Sequence, residues 1–313
     1  MNTDEHRFGN GRRSLKERLV LRVTRAGVHP WRMVPRYCGV AACWLVVLLT
    51  LSLRAVSAEP MRVSWNNRIL SVHSDRLPQG KLEILYLEAF LRPGANQREW
   101  GRTVMPHRTI LTGTNSAGTE LRFLTVVGPS VEVRHEVRSH ADELEFTFEF
   151  HNRGTTNSEL QWFQPACIRV DGFTGRDQKG YTERSFVYTA NGRTFLSQLH
   201  RTEVALYRGG QVFLPPWTRE ADANPRPVAG DRLVNGLIGC LSADDHWILA
   251  TASDRTHELF EGVYVCLHSD PLIDGLKPGD VKRVRQKVYL VPNDAAALLK
   301  RYHRDFDSTV DRW

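Results

Sequence analysis

The chain has 313 residues, 42 basic and 35 acidic, and a formal charge of +7 at pH 7, a balance that on its own would suggest an acidic partner. Residues 1–58 hold ten of the basic and three of the acidic residues, which leaves 32 of each from Glu59 to Trp313. The bulk of the chain is therefore formally neutral, a nucleic-acid partner is not expected, and its length suits one large domain with a sizeable core or two small ones.

The first element is the run Tyr37 to Leu53, seventeen residues without a charge, bracketed by Arg36 and Arg54 and followed by Val56-Ser57-Ala58-Glu59-Pro60. A spanning helix needs about 20 apolar residues, while Val56 and Ala58 fit the small-residue positions of a signal-peptidase site. Residues 1–58 thus read as a basic N-region plus signal peptide cleaved after Ala58, with an uncleaved anchor, N-terminus in the cytoplasm, as the alternative. A start at Met33 would give an ordinary leader of 26 residues and leave residues 1–32 outside the working protein. Either reading places the rest of the chain outside the cytoplasm, periplasmic or secreted, meeting the membrane only through this segment.

From Glu59 on, β-branched and aromatic residues recur between closely spaced Pro and Gly, the pattern of an all-β chain. The clearest pair is Val131–Val137 and Leu144–Phe150, where apolar and polar residues alternate around the turn Ser139-His140-Ala141-Asp142, predicting a hairpin with one buried face. Further strands are expected at 61–65, 81–91, 120–127, 159–170, 185–188, 194–199, 203–206, 211–214, 236–241, 247–253, 263–268 and 281–291. So many short strands predict a large two-sheet antiparallel β-sandwich of the supersandwich kind over residues 59–292. One long loop, Pro215 to Gly230, interrupts the strands, and loops of that length are usually functional or disordered. Pro292-Asn293-Asp294 opens a helix with Leu298, Leu299, Tyr302 and Phe306 on one face, so residues 293–313 are expected to pack on the sandwich. Cys167, Cys240 and Cys266 allow at most one disulfide, with the pairing open.

Three groups of residues carry candidate chemistry. In Gln161 to Gly175, Trp162 offers an apolar platform, and Arg169, Asp171 and Thr174 offer directional hydrogen bonds if Pro165 breaks the strand. A saccharide needs that combination, because its C–H face stacks on a ring while its hydroxyls need donors and acceptors. In the second group, period-2 geometry sets Cys266, His268 and Asp270 on one strand face, with donor atoms suited to a divalent metal such as zinc. The alternative is a small buried thiol beside a satisfied histidine, and a Cys/His nucleophilic pair would need an orienting acid that the sequence does not identify. The third group is the polar loop Arg92 to Trp100 followed by His107, where Trp100 can stack on a sugar and Arg98, Glu99 and His107 can supply acid–base groups.

The strand rhythm, the segment Phe148-Glu149-Phe150-His151-Asn152-Arg153-Gly154 leading into Leu160 to Val170, and the closing Leu276-Lys277-Pro278-Gly279-Asp280 resemble the galactose-mutarotase-like β-sandwich proteins over most of residues 60–292. That resemblance implies a carbohydrate-associated fold. Aldose epimerases of the group carry a catalytic histidine in the strand after the equivalent Asn turn, where this chain reads Trp162-Phe163-Gln164-Pro165. No catalytic residue is carried over, and epimerase activity is not implied. The leading expectation is an exported sandwich that binds or processes a glycan or polysaccharide through Trp100, His107, Trp162, Arg169 and Asp171. The alternatives are a metal-assisted hydrolase or lyase centred on Cys266, His268 and Asp270, and a non-catalytic structural or interaction protein of the cell envelope.

Overall fold

The computed structural model describes residues 59–201 and 210–310; the expected leader and the expected strand at 203–206 lie outside the described residues. Two antiparallel sheets make up the fold. The seven-stranded sheet runs in the order β1 (Arg62–Asn66), β2 (Ile69–His73), β3 (Lys81–Leu91), β8 (Trp162–Arg169), β15 (Cys266–Pro271), β14 (Thr256–Gly262) and β11 (Gln211–Phe213). The nine-stranded sheet runs β10 (Gly192–Phe195), β9 (Ser185–Thr189), β12 (Ile238–Leu241), β13 (Trp247–Ser253), β16 (Val281–Pro292), β7 (Glu143–Asn152), β6 (Val131–Ser139), β5 (Glu120–Val127) and β4 (His107–Thr114). Among the described residues there are three α-helices, α1 (Trp100–Thr103), α2 (Asp171–Thr174) and α3 (Ala295–Val310), and none is long and apolar enough to cross a membrane.

The hairpin expected from the alternating pattern is β6–β7, paired Val133↔Phe150, His135↔Phe148 and Val137↔Phe146. Its inner face packs Val133, Val137, Phe146, Phe148 and Phe150 against Ile84, Phe90, Phe163, Ile168 and Leu259 of the other sheet. Its outer face pairs Arg134 with Glu132 and Arg138 with Glu136. A slip of one residue would exchange these faces, so the register is fixed by burial. His135 is the polar member of the inner face. Its ring stacks on Phe123 with centroids 5.0 Å apart, and its two nitrogens hydrogen-bond the Tyr86 and Thr125 hydroxyls at 2.7 and 2.8 Å.

Three strands, β2, β4 and β14, fall outside the stretches where strands are expected. β2 follows β1 through Asn67 and Arg68, both at positive φ, a two-residue turn type that normally favours Asn-Gly. β4 is an edge strand exposed along most of its length, so no apolar face marks it. β14 is buried at every position although it carries His257, Glu258 and Glu261. Two expected boundaries also shift. β15 starts at Cys266 because the chain turns at Val265, with φ of 53°, and β10 gives way to a 3-10 turn at Leu196–Gln198.

The closing helix forms as expected. The Asp294 carboxylate accepts the Ala296 and Ala297 N–H groups at 3.0 Å, capping the first turn, and Leu298, Tyr302 and Phe306 pack on Phe186, Ile248, Ala250 and Tyr289. A buried ion cluster fastens it. The Lys287 ammonium lies 2.9 Å from Glu143 and 3.1 Å from Asp305, the Tyr289 hydroxyl donates to Asp305 at 3.1 Å, and Arg301 pairs with Asp142 and Glu143.

Lys287→Met would remove the ammonium held between Glu143 and Asp305, leaving each carboxylate with an arginine alone, Arg301 and Arg304. It is expected to cost about 3–5 kcal/mol, read as a lower urea midpoint; an unchanged midpoint would contradict the role given to the cluster. The fold also predicts a pH dependence. Burial holds His135 down at about 3 and His257 down at about 4, whereas both titrate near ~6.5 when unfolded. Below that value the unfolded chain binds more protons, so stability falls with pH by about 1.4 kcal/mol per unit for each histidine. His135→Gln should lose less stability than the parent between pH 7 and pH 5; equal losses would show that His135 does not carry this share.

Candidate functional site

Strands β3, β8, β15 and β14 are neighbours, and their inner face feeds the core through Ile84, Ile168, Leu267 and Leu259. The opposite face is polar yet covered. Alternation along β15 puts Cys266, His268 and Asp270 there, and pairing with β14 sets them opposite Gly262, Phe260 and Glu258. β8 adds Cys167 and Gln164. Glu88 arrives through a bulge in β3 between Tyr86 and Ala89, where Leu87 takes φ of 55° and points into the core while Glu88 turns to the other side.

The long loop after β11 roofs this face. Trp217 donates through Nε1 to the Thr256 carbonyl at 2.8 Å, Thr218 Oγ1 donates to the His257 carbonyl at 2.6 Å, and the Asn224 N–H donates to Glu258 at 2.8 Å. Asp222 accepts the Gly94 N–H at 2.9 Å, which ties the roof to the loop that leads into α1 and Trp100. Between roof and sheet lies a cleft of about 380 Å³, lined by Glu88, Trp100, Gln164, Cys167, Phe260, Tyr264, Cys266, His268 and the turn Asn224-Pro225-Arg226.

His268 occupies the centre of the floor. Its Nε2 lies 3.4 Å from Cys266 Sγ and 3.9 Å from Glu88 Oε2, and its Nδ1 lies 3.5 Å from Asp270 Oδ1. That last separation is too long for a well-formed hydrogen bond, and both atoms are buried without another partner. Gln164 Nε2 donates to the second oxygen of Asp270 at 3.1 Å. Burial alone would lower the His268 pKa, but the fields of Cys167 and Asp270 override it and raise the group well above the ordinary range. Burial raises Asp270 against the pull of His268. Glu258 is raised further, by burial and then by the charge of Asp270. The Cys167 thiol is raised by its contact with Cys266 and by burial, so it is not an activated nucleophile.

The residues singled out from the sequence do not all converge on one place. Trp162 is 0% exposed, stacked on His257 at 5.1 Å and packed with Ala89, Leu91 and Ala95, so it presents no ring face to a ligand. Pro165 does not break β8, which runs unbroken from Trp162 to Arg169. Arg169 and Asp171 line a separate recess of about 290 Å³ with Gln79 and Lys81, and the Arg169 guanidinium lies over the Tyr264 ring at 5.4 Å. His107 lies in a third recess, hydrogen-bonded to the Leu87 carbonyl at 3.2 Å and edge-on to Phe90. Arg98 and Glu99 are exposed on the loop. Trp100 does line the cleft, together with Cys266 and His268, and Asp270 lies behind His268, 3.5 Å from its Nδ1. The metal-type donors converge on Cys167, Cys266 and His268, whose ligand atoms all lie within 4.8 Å of one another, with Asp270 one step removed. Cys167, Cys240 and Cys266 are all free and buried. Glu88, Gln164 and Glu258 complete the site without having been singled out. The available signal was a lone carboxylate in an otherwise apolar run, as at Leu85-Tyr86-Leu87-Glu88-Ala89-Phe90.

No protein-family model matches the chain, and no curated protein matches it. Among solved structures it resembles the galactose mutarotase-like fold at low sequence identity. A galactose mutarotase related enzyme from Lactobacillus acidophilus is 11% identical with a TM-score of 0.38, over 74% of this chain and 97% of that one. A galactose mutarotase-like protein from Lactobacillus casei is 11% identical with a TM-score of 0.41, over 74% and 100%. The YidC insertase is 12% identical with a TM-score of 0.28, over 86% and 49%. Likenesses of this degree argue for no activity, and the functional reading rests on the side chains of the cleft.

Proposed function

We propose that the chain is an exported protein that binds a saccharide in the cleft over β8 and β15 and processes it there. The observation that supports this reading is the pairing of two exposed rings, Trp100 (38%) and Tyr264 (61%), with a polar floor of Glu88, Gln164 and His268. Ring faces suit the C–H face of a sugar, and a small number of placed donors and acceptors suit its hydroxyls. The volume falls within the range of about 300–1,000 Å³ usual for ligand sites. Glu88 is the carboxylate that reaches the cleft, whereas Asp270 and Glu258 are sealed beneath it; Glu88 is therefore the acid–base group within reach of a bound sugar.

Export follows from the leader reading, with a membrane anchor as the alternative. A native chain beginning at Glu59 by mass spectrometry is the expected result, and retention of residues before Glu59 would favour the anchor. Ligand binding is expected to quench tryptophan fluorescence across a panel of oligosaccharides, and Trp100→Ala should abolish the response with the circular dichroism unchanged. Glu88→Gln should retain binding and lower turnover by about 10²–10⁴-fold. Absence of any response across a broad panel would remove the saccharide reading.

A further inference from the structure

We propose that Cys167, Cys266 and His268 bind a zinc ion at the floor of the cleft, with Asp270 orienting the histidine and Glu88 facing the open coordination position. This inference stands on the donor geometry and holds whether or not the cleft's ligand is a saccharide. Two adjacent strands present two thiols and an imidazole, all with ligand atoms within 4.8 Å of one another. A tetrahedral zinc with bonds of about 2.3 Å to sulfur and about 2.0 Å to nitrogen sets sulfur and nitrogen about 3.5 Å apart. Cys266 Sγ and His268 Nε2 are 3.4 Å apart, so little movement is needed. Soft sulfur donors with one imidazole favour zinc over the oxygen-seeking calcium and magnesium.

The surroundings match what a bound metal requires. A metal-bound histidine usually donates its other ring N–H to a carboxylate, which fixes its tautomer and orientation. Here Asp270 lies behind Nδ1 at 3.5 Å, itself held by Gln164, and His268 Nδ1 and Asp270 Oδ1 are buried polar atoms otherwise lacking partners. Space for the Cys266 thiol exists because residue 262 is glycine. A Cβ there would come within 2.4 Å of the sulfur, and the Tyr181 hydroxyl donates to the Gly262 carbonyl at 2.9 Å to fix that backbone. A hydrophobic role accounts for two buried thiols, yet it does not account for His268, Asp270 and Glu258 sealed on the same face. A buried carboxylate needs a donor or neutralisation, and a metal-bound His268, its Nδ1–H turned towards Asp270, supplies that donor. Three protein ligands with a fourth position open to a cleft is the arrangement of a catalytic zinc, in which the ion activates a bound water. On binding, the two thiols lose their protons to solvent and coordinate as thiolates.

The test is elemental analysis of the full-length chain after equilibration with zinc and removal of loose metal, followed by replacement with cobalt(II). About one zinc per chain is expected, and the cobalt form should show a sulfur-to-metal charge-transfer band that weakens in Cys167→Ser and disappears in the Cys167→Ser/Cys266→Ser double variant. Asp270→Asn keeps every ligand and should weaken zinc binding by about 10–100-fold, which keeps the test valid if a cysteine variant fails to fold. Three results would overturn the site: no stoichiometric metal, retention of the metal in the double variant, or a Cys167–Cys266 disulfide in the freshly purified chain with neither thiol open to alkylation after unfolding.

Discussion

Burial of β15 on both of its faces is the constraint from which the rest of the site follows. A strand covered on one side by a core and on the other by a loop has no water to satisfy polar side chains, so every polar group it carries must find a partner inside the protein. Leu267 points the other way, into the apolar core. His268 meets this condition in part at Cys266 and Asp270 in part at Gln164, while His268 Nδ1 and Asp270 Oδ1 face each other across 3.5 Å without a well-formed hydrogen bond. Such a face is costly for stability, since desolvating an ionised group costs several kcal/mol even when it is paired. The large aromatic core between the sheets, centred on Tyr86, Phe148, Phe150 and Phe163, supplies the opposing contribution. Alternating apolar residues on this face would build a more stable strand.

Local backbone geometry points to the same place. Leu87 and Val265 are both non-glycine residues at positive φ, and a branched or bulky side chain there carries strain of about 1–3 kcal/mol. Leu87 is the residue that lets Glu88 turn towards the cleft. Val265 closes the tight connection between β14 and β15 and presents Tyr264 at the rim, and its carbonyl accepts the Val170 N–H at 2.9 Å. The roof is built with comparable economy, because Trp217, Thr218 and Asn224 bind backbone and carboxylate groups of β14 rather than forming a secondary structure of their own. The expectation that the loop from Pro215 to Gly230 is functional or disordered thus resolves into an ordered wall of the cleft.

What the sequence made legible follows from this division. The β6–β7 hairpin, β5 and the closing helix obey simple periodicities because each has a core face and a distinguishable opposite face. β14 was not legible because His257, Glu258 and Glu261 interrupt its apolar pattern, although each is buried. The strand hardest to read is thus one of those that line the cleft. Cys266, His268 and Asp270 could be read as one face from their spacing alone. Cys167, Glu88 and Gln164 could not be joined to them, because strand order brings β8 beside β15, and β3 beside β8, from about a hundred residues or more before β15 in the chain. Trp162 misled for a related reason: an aromatic next to polar residues looks like a platform, while its stacking on His257 makes it the layer beneath one.

The central claim is that the cleft over β8 and β15, rather than the recesses around Arg169 and His107, receives the ligand. A crystal structure of the chain with a bound oligosaccharide tests this most directly. The account predicts a sugar ring held between Trp100 and Tyr264 with a hydroxyl against Glu88. A sugar bound in the Arg169–Asp171 recess or beside His107, with the cleft untouched, would contradict it.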